Sequence, residues 1–146
     1  MHLGKIAKKI RIFLRDKADN NILLDDVQFT DEDLECALEL TADEYNVTTP
    51  ITTLTWGSMP QFLQIIGATR FLLYSEVFLQ ARNQVTLPTD RGDAMGLDDK
   101  AMLYTQLQQQ LSAEWKLRTR EYKNQMNAES IYDDIPSDYA YLSDRY

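Results

Sequence analysis

Between Gln28 and Asn46, Leu34, Ala37, Leu38, Thr41 and Tyr45 recur at spacings of three and four, while Glu35, Glu39, Asp43 and Glu44 fall largely off that line. The pattern predicts an amphipathic helix over residues 30–46 with one core face and one strongly acidic face. Thr30 followed three residues later by Asp33 marks its start, because the hydroxyl accepts from an orphan backbone N–H of the first turn. Asp31, Glu32 and Asp33 crowd the positive end of the helix dipole, where each negative charge contributes roughly 0.3–1 kcal/mol. Asn46 and the Pro50 that follows close the helix, since the residue before a proline is pushed away from helical angles.

The same reading extends along the chain. Residues 5–15 place Ile6, Ile10, Phe13 and Leu14 on one side and Lys5, Lys8, Lys9, Arg11 and Arg15 mostly on the other, a short basic amphipathic helix. Its apolar side suits docking on the domain or on a neighbour; nucleic acid, acidic lipid or a frayed arm are the competing readings. Residues 47–58, VTTPITTLTWGS, are β-branched and proline-interrupted. Too few strands exist elsewhere to build a sheet, so they predict a loop with Ile51, Leu54 and Trp56 tucked onto the helices. Residues 59–83 are apolar around much of a helical circumference and predict a central helix, with Pro60 in its first turn. Gly67 and Ala68 permit the close approach of a crossing helix. A membrane span of such length is conceivable, but Gln64, Arg70 and Glu76 interrupt it, and arginine at a bilayer centre costs at least about 2.5 kcal/mol.

Residues 84–96 form a hydrophilic connection in which Arg91-Gly92-Asp93 reads as an exposed turn. A longest helix follows over 97–126, with Ala101, Tyr104, Leu107, Leu111, Trp115, Arg118 and Tyr122 along one side. Lys116, Arg118, Arg120 and Lys123 near its end complement the dipole, with DNA phosphates as a competing use of Arg118, Arg120 and Lys123. Residues 127–146, NAESIYDDIPSDYAYLSDRY, have no helical or alternating period. They predict an extended C-terminal arm anchored on a partner by Ile131, Tyr132, Ile135, Tyr139, Tyr141 and Leu142, folding back on the domain being the alternative. The sum is an all-α chain: a compact domain of about four helices over residues 1–126, then an arm over 127–146.

Charge sharpens this picture. The chain of 146 residues carries a net charge of -8, which disfavours general nucleic-acid or membrane-surface binding. The charge is segregated: residues 1–20 hold six basic and two acidic residues, whereas residues 21–57 hold nine acidic and no basic ones. Blocks of this kind suit copies that touch through opposite faces, with ordinary solvated faces as the plainer reading. Cys36 is the only cysteine and His2 the only histidine, so no internal disulfide, histidine triad or usual zinc site can form. A small buried hydrophobe is the expected role of Cys36. No catalytic set, metal site or cofactor is implied. The opening segment interleaves charge with apolar residues and has no secretory pattern, so the product is expected to stay in the cell that makes it.

The basic segment ending in Arg15-Asp16-Lys17, the run FTDEDLECALELTADEYN, a proline soon after, a small polar bridge and an apolar helix with Ile66-Gly67-Ala68 resemble the head-to-tail adaptor (connector) proteins of tailed bacteriophages over residues 5–83. The resemblance implies a non-enzymatic, all-helical virion protein of the neck, present in host cytoplasm during assembly. Its subunits would form a homo-oligomeric ring, dodecameric in that family, that docks under the portal protein. The ring would meet tail or other neck proteins and pass DNA without sequence-specific binding or a membrane. On this reading Lys5, Lys8, Lys9, Arg11 and Arg15 face Glu35, Glu39 and Asp43 between subunits, and the arm binds the portal or a neighbour. The alternative is a small nucleic-acid-binding or regulatory protein that uses the basic N-terminal helix.

Overall fold

In the computed structural model, which describes residues 3–21, 26–83, 86–88, 94–96 and 100–133, the helices are α1 (Leu3–Leu14), α2 (Asp31–Val47), α3 (Gln61–Asn83) and α4 (Lys100–Asp133). A two-stranded antiparallel hairpin, β1 (Thr86–Pro88) and β2 (Ala94–Gly96), lies between α3 and α4, with Leu87 opposite Met95. The fold is all-α apart from that hairpin, which falls in the stretch expected to be an irregular connection. Arg91-Gly92-Asp93 lies outside the described residues. The largest departure is at the end of the chain. Residues 127–133, expected to begin the extended arm, continue α4 without a break. Good helix formers such as Ala128 and Glu129, with no proline before Pro136, let the ladder run on even though the apolar period has stopped.

Each helix end has a local cause. At the start of α2 the Thr30 side chain accepts from the backbone N–H of Asp33, and the Asp33 carboxylate accepts in turn from Thr30 N–H. Such a reciprocal cap contributes about 1 kcal/mol. At the end of α1, Asp16 N–H donates to the Arg11 carbonyl at 2.9 Å and Arg15 N–H to the Ile12 carbonyl at 3.3 Å. Arg15 takes the left-handed conformation that this closing turn requires, at φ 58°. The turn aims Asp16, only 4% exposed, back at the chain. Its carboxylate accepts from Arg11, Asn21 and the backbone N–H groups of Gln28 and Phe29, tying the approach to α2 onto the end of α1.

α3 is the middle of the packing and touches α1, α2 and α4. On one side Ile6, Ala7 and Ile10 of α1 meet Leu34, Ala37 and Leu38 of α2 over Ala68 and Leu72. On the other, Ala42 and Tyr45 meet Leu63, Ile66 and Trp115 of α4. Trp56 is half-buried and packs against both groups. Its companions do not follow: Ile51 is 80% exposed and Leu54 38%, against the expectation that both tuck inward. Here the loop turns its carbonyls inward, and the side chains point out. Cys36 is likewise exposed, not buried.

Gly67 marks where three helices meet. A β-carbon there would lie 2.7 Å from Trp115 Nε1 and 2.9 Å from Thr41 Oγ1, so neither α2 nor α4 could keep its distance. Ordinarily glycine to alanine inside a helix gains about 1 kcal/mol of propensity. At this position Gly67→Ala should reverse the sign and destabilise the fold by about 2 kcal/mol, the scale of overpacking in a dense core. Urea unfolding followed by circular dichroism checks this; a neutral or stabilising result would mean that the crossing is looser than drawn.

Candidate interaction surfaces

The surfaces of this fold are set by charges buried beneath them. Arg70, 5% exposed, pairs with Glu44 of α2 through its two terminal guanidinium nitrogens, and its planar head lies 4.6 Å from the Phe71 ring centroid and 4.5 Å from that of Trp115. Arginine suits this place because its weakly hydrated fork satisfies a carboxylate while its faces stack on rings. Trp115 Nε1 donates to the Leu63 carbonyl at 3.2 Å, which α3 leaves accessible beside Gly67. Gln61–Leu79 is long and apolar enough to cross a membrane by length and composition. Within this fold its polar members Gln64, Arg70 and Glu76 are all buried.

Lys123, assigned from the sequence to the dipole or to phosphates, is instead 2% exposed. Its ammonium donates to the carbonyls of Tyr45, Thr48 and Pro50 at 2.5, 2.6 and 2.8 Å, and sits 4.2 Å above the Tyr45 ring. One side chain of α4 therefore serves the open end of α2 and the loop behind it, carbonyls that the helix cannot satisfy itself. The buried line on α4 is Trp115, Thr119 and Lys123, one turn apart. Arg118, expected on that line, is exposed and lies 3.6 Å from Glu121. A long aliphatic stem lets lysine count as inward-facing, which hydrophobic periodicity does not register.

With these pairs accounted for, the remaining charge is sorted. Arg11 is held by Asp16 and Asp31 of its own chain, and Lys9 donates to Gln61. Lys5 and Lys8 on α1, and Arg15 just past its end, are exposed with no ion-pair partner among the described residues. On α2 the same holds for Glu32, Glu35, Glu39 and Asp43. Of the residues expected to meet between subunits, the fold thus leaves Lys5, Lys8, Arg15, Glu35, Glu39 and Asp43 without ion pairs and engages Arg11 and Lys9 internally.

A groove of about 480 Å³ runs between α2 and the second half of α3, walled by Cys36, Leu40, Phe71, Tyr74 and Phe78. Tyr74 and Phe78, 47% and 61% exposed, meet edge to face at 4.9 Å on its lip. Glu76 also lines it and is 6% exposed, with Oε2 lacking any hydrogen-bond partner among the described residues. The hydrophobic spacing of α3 gave no sign of this groove. Among the arm residues, Ile131 lies on α4 and is 62% exposed, within a run over residues 124–131 that is exposed throughout. Tyr132 is also in α4, while Ile135, Tyr139, Tyr141 and Leu142 lie outside the described residues. Among the described residues no group of three or more His, Cys, Asp or Glu is placed to hold a metal ion. Comparison of the chain with protein-family models, curated proteins and solved structures finds no match.

Removing the buried ammonium tests its role. Lys123→Met keeps the stem but leaves inward carbonyls without a donor, and should cost about 3 kcal/mol in urea unfolding. Alkaline titration separates the two groups in contact. Burial pushes the Lys123 pKa below its ordinary 10.5, so between that lowered value and 10.5 the unfolded chain binds more protons and stability rises with pH. Burial, then the neighbouring Tyr122, pushes Tyr45 above 10.0, so above pH 10.0 the folded chain binds more protons and stability falls. Tyr45→Phe should flatten the fall and Lys123→Met remove the rise, read as unfolding free energy against pH.

Proposed function

We propose that the chain is a structural subunit of a tailed-phage neck, a head-to-tail adaptor that assembles with copies of itself into a ring between portal and tail. The observation that carries the reading is the pair of exposed, unpaired stripes: Lys5, Lys8 and Arg15 on α1 against Glu32, Glu35, Glu39 and Asp43 on α2. Charge left over in opposite sign on two helices of one body favours repeated head-to-tail contact, and such contacts close into rings when the rotation fits. The resemblance of residues 5–83 to phage adaptors points the same way. In this role the chain works by assembly and not by catalysis, resides in the virion neck after assembly in host cytoplasm, and meets no membrane. Its net charge of -8 suits a wall past which DNA moves without being captured.

The exposed basic stripe of α1 also favours a second reading, a small nucleic-acid-binding or regulatory protein. Two measurements separate them. Electron microscopy of the purified chain, and of particles that carry it, should show rings of one symmetry at the neck. Affinity for duplex DNA should be undetectable at low salt. Tight binding that falls steeply as salt rises, with no ring, would replace the adaptor reading by the second one.

A further inference from the structure

The two stripes match in length as well as in sign. Lys5, Lys8 and Ile12 follow at spacings of three and four and share one outer face of α1, with Arg15 just past its last residue. Arg15 closes the helix, and the face is roughly 15 Å long at 1.5 Å per residue. Ile12, 49% exposed, sits on this face, and Phe13, 53% exposed, lies at its edge towards the Ile6 and Ile10 side. Glu32, Glu35, Glu39 and Asp43 share one face of α2, also roughly 16 Å long. Cys36 and Leu40 lie beside that face and lead into the α2–α3 groove. Within the groove Glu76 keeps one carboxylate oxygen out of water and without a partner among the described residues. A carboxylate held so needs a cation or a donor, because burying it alone is costly.

We propose that the α2–α3 groove receives the outer face of α1 from a second copy of the chain. Ile12 and Phe13 of that copy cover Leu40, Tyr74 and Phe78, its Lys5, Lys8 and Arg15 lie along the acidic stripe, and one of these cations reaches Glu76. The chain's own α1 cannot do this, since Ile6, Ala7 and Ile10 already fasten its inner face to α2 and α3. Pairing α1 with α1, or α2 with α2, would set like charges against each other, so α1 of one copy meets α2 of the next; a reciprocal pair of such contacts would stop at a dimer, whereas a ring needs the open, heterologous form. The inference rests on the ring reading and supplies its interface.

Cys36, the chain's only cysteine, is exposed on the groove wall and serves as a built-in probe. Ile12→Cys places a second thiol at the centre of the α1 face, where the native side chain is half exposed. Mild oxidation of the full-length Ile12→Cys protein should give a reducible ladder of dimers, trimers and larger species on denaturing gels. Wild type and a Leu117→Cys control, on an exposed α4 position, should stop at dimers. Adding Glu39→Lys should lower the ladder about tenfold, and adding Lys8→Glu to that should restore it. Circular dichroism confirms that each variant is folded, and mass photometry gives the size in solution without oxidation. Large assemblies without a ladder overturn this surface and leave the ring reading standing. Dimers alone overturn the head-to-tail geometry, and a monomer at every concentration overturns both.

Discussion

The crossing at Gly67 is the constraint on which the other contacts depend. Because that position has no side chain, α2 brings Thr41 and α4 brings Trp115 against the same point of α3. The tryptophan then reaches the Leu63 carbonyl, and its ring becomes one of the two surfaces on which Arg70 stacks. Arg70 in turn holds Glu44, fixing the last turns of α2. Two turns further along α4, Lys123 gathers the carbonyls at the end of that helix. A wider crossing would separate these partners together, since a buried ion pair or ammonium tolerates little loss of geometry.

Most of the fold was legible in the residues. The spacing of Leu34, Ala37, Leu38, Thr41 and Tyr45 gives the buried face of α2, and all five are buried. Thr30 and Asp33 mark its first turn, and Gly67 its crossing partner. The failures share a cause. Spacing carried on from Leu107, Leu111 and Trp115 reaches Arg118 and Tyr122, and because Thr119 and Lys123 are polar nothing in the pattern marks them as the inward side. Periodicity also has no term for backbone that needs a donor, which is why Ile51 and Leu54 were expected inside a loop whose carbonyls occupy that side. At residues 127–133 the apolar period ends before the helix does, because helical hydrogen bonds require no core.

The exposed sites were half legible for a related reason. Segregated charge along the chain identifies which helices carry excess, but not which charges the fold neutralises. Arg11 belongs to the basic block yet is fully engaged by Asp16 and Asp31. Asp33 is drawn into its own helix cap, and Glu44 into its pair with buried Arg70. Subtraction of these pairs turns two loose blocks into two narrow stripes. The α2–α3 groove was invisible at the sequence level because Cys36 and Phe78 are separated by most of two helices and a loop, and only the packing of α3 brings them to one surface.

α1 is a helix of 12 residues, a length at which an isolated helix is marginal in water. It persists here because Ile6, Ala7 and Ile10 are buried and because Asp16 grips both its last turn and the chain entering α2. The basic stripe is therefore a property of the folded subunit: Lys5, Lys8 and Arg15 align only while the inner face of α1 is docked. A surface that exists only in the finished fold would couple any association through it to folding, because unfolded or half-folded copies present scattered lysines in no fixed register. On the proposed ring reading, this coupling would keep incomplete copies out of the assembly, and the control of assembly would lie in the same few buried residues that hold α1 in place.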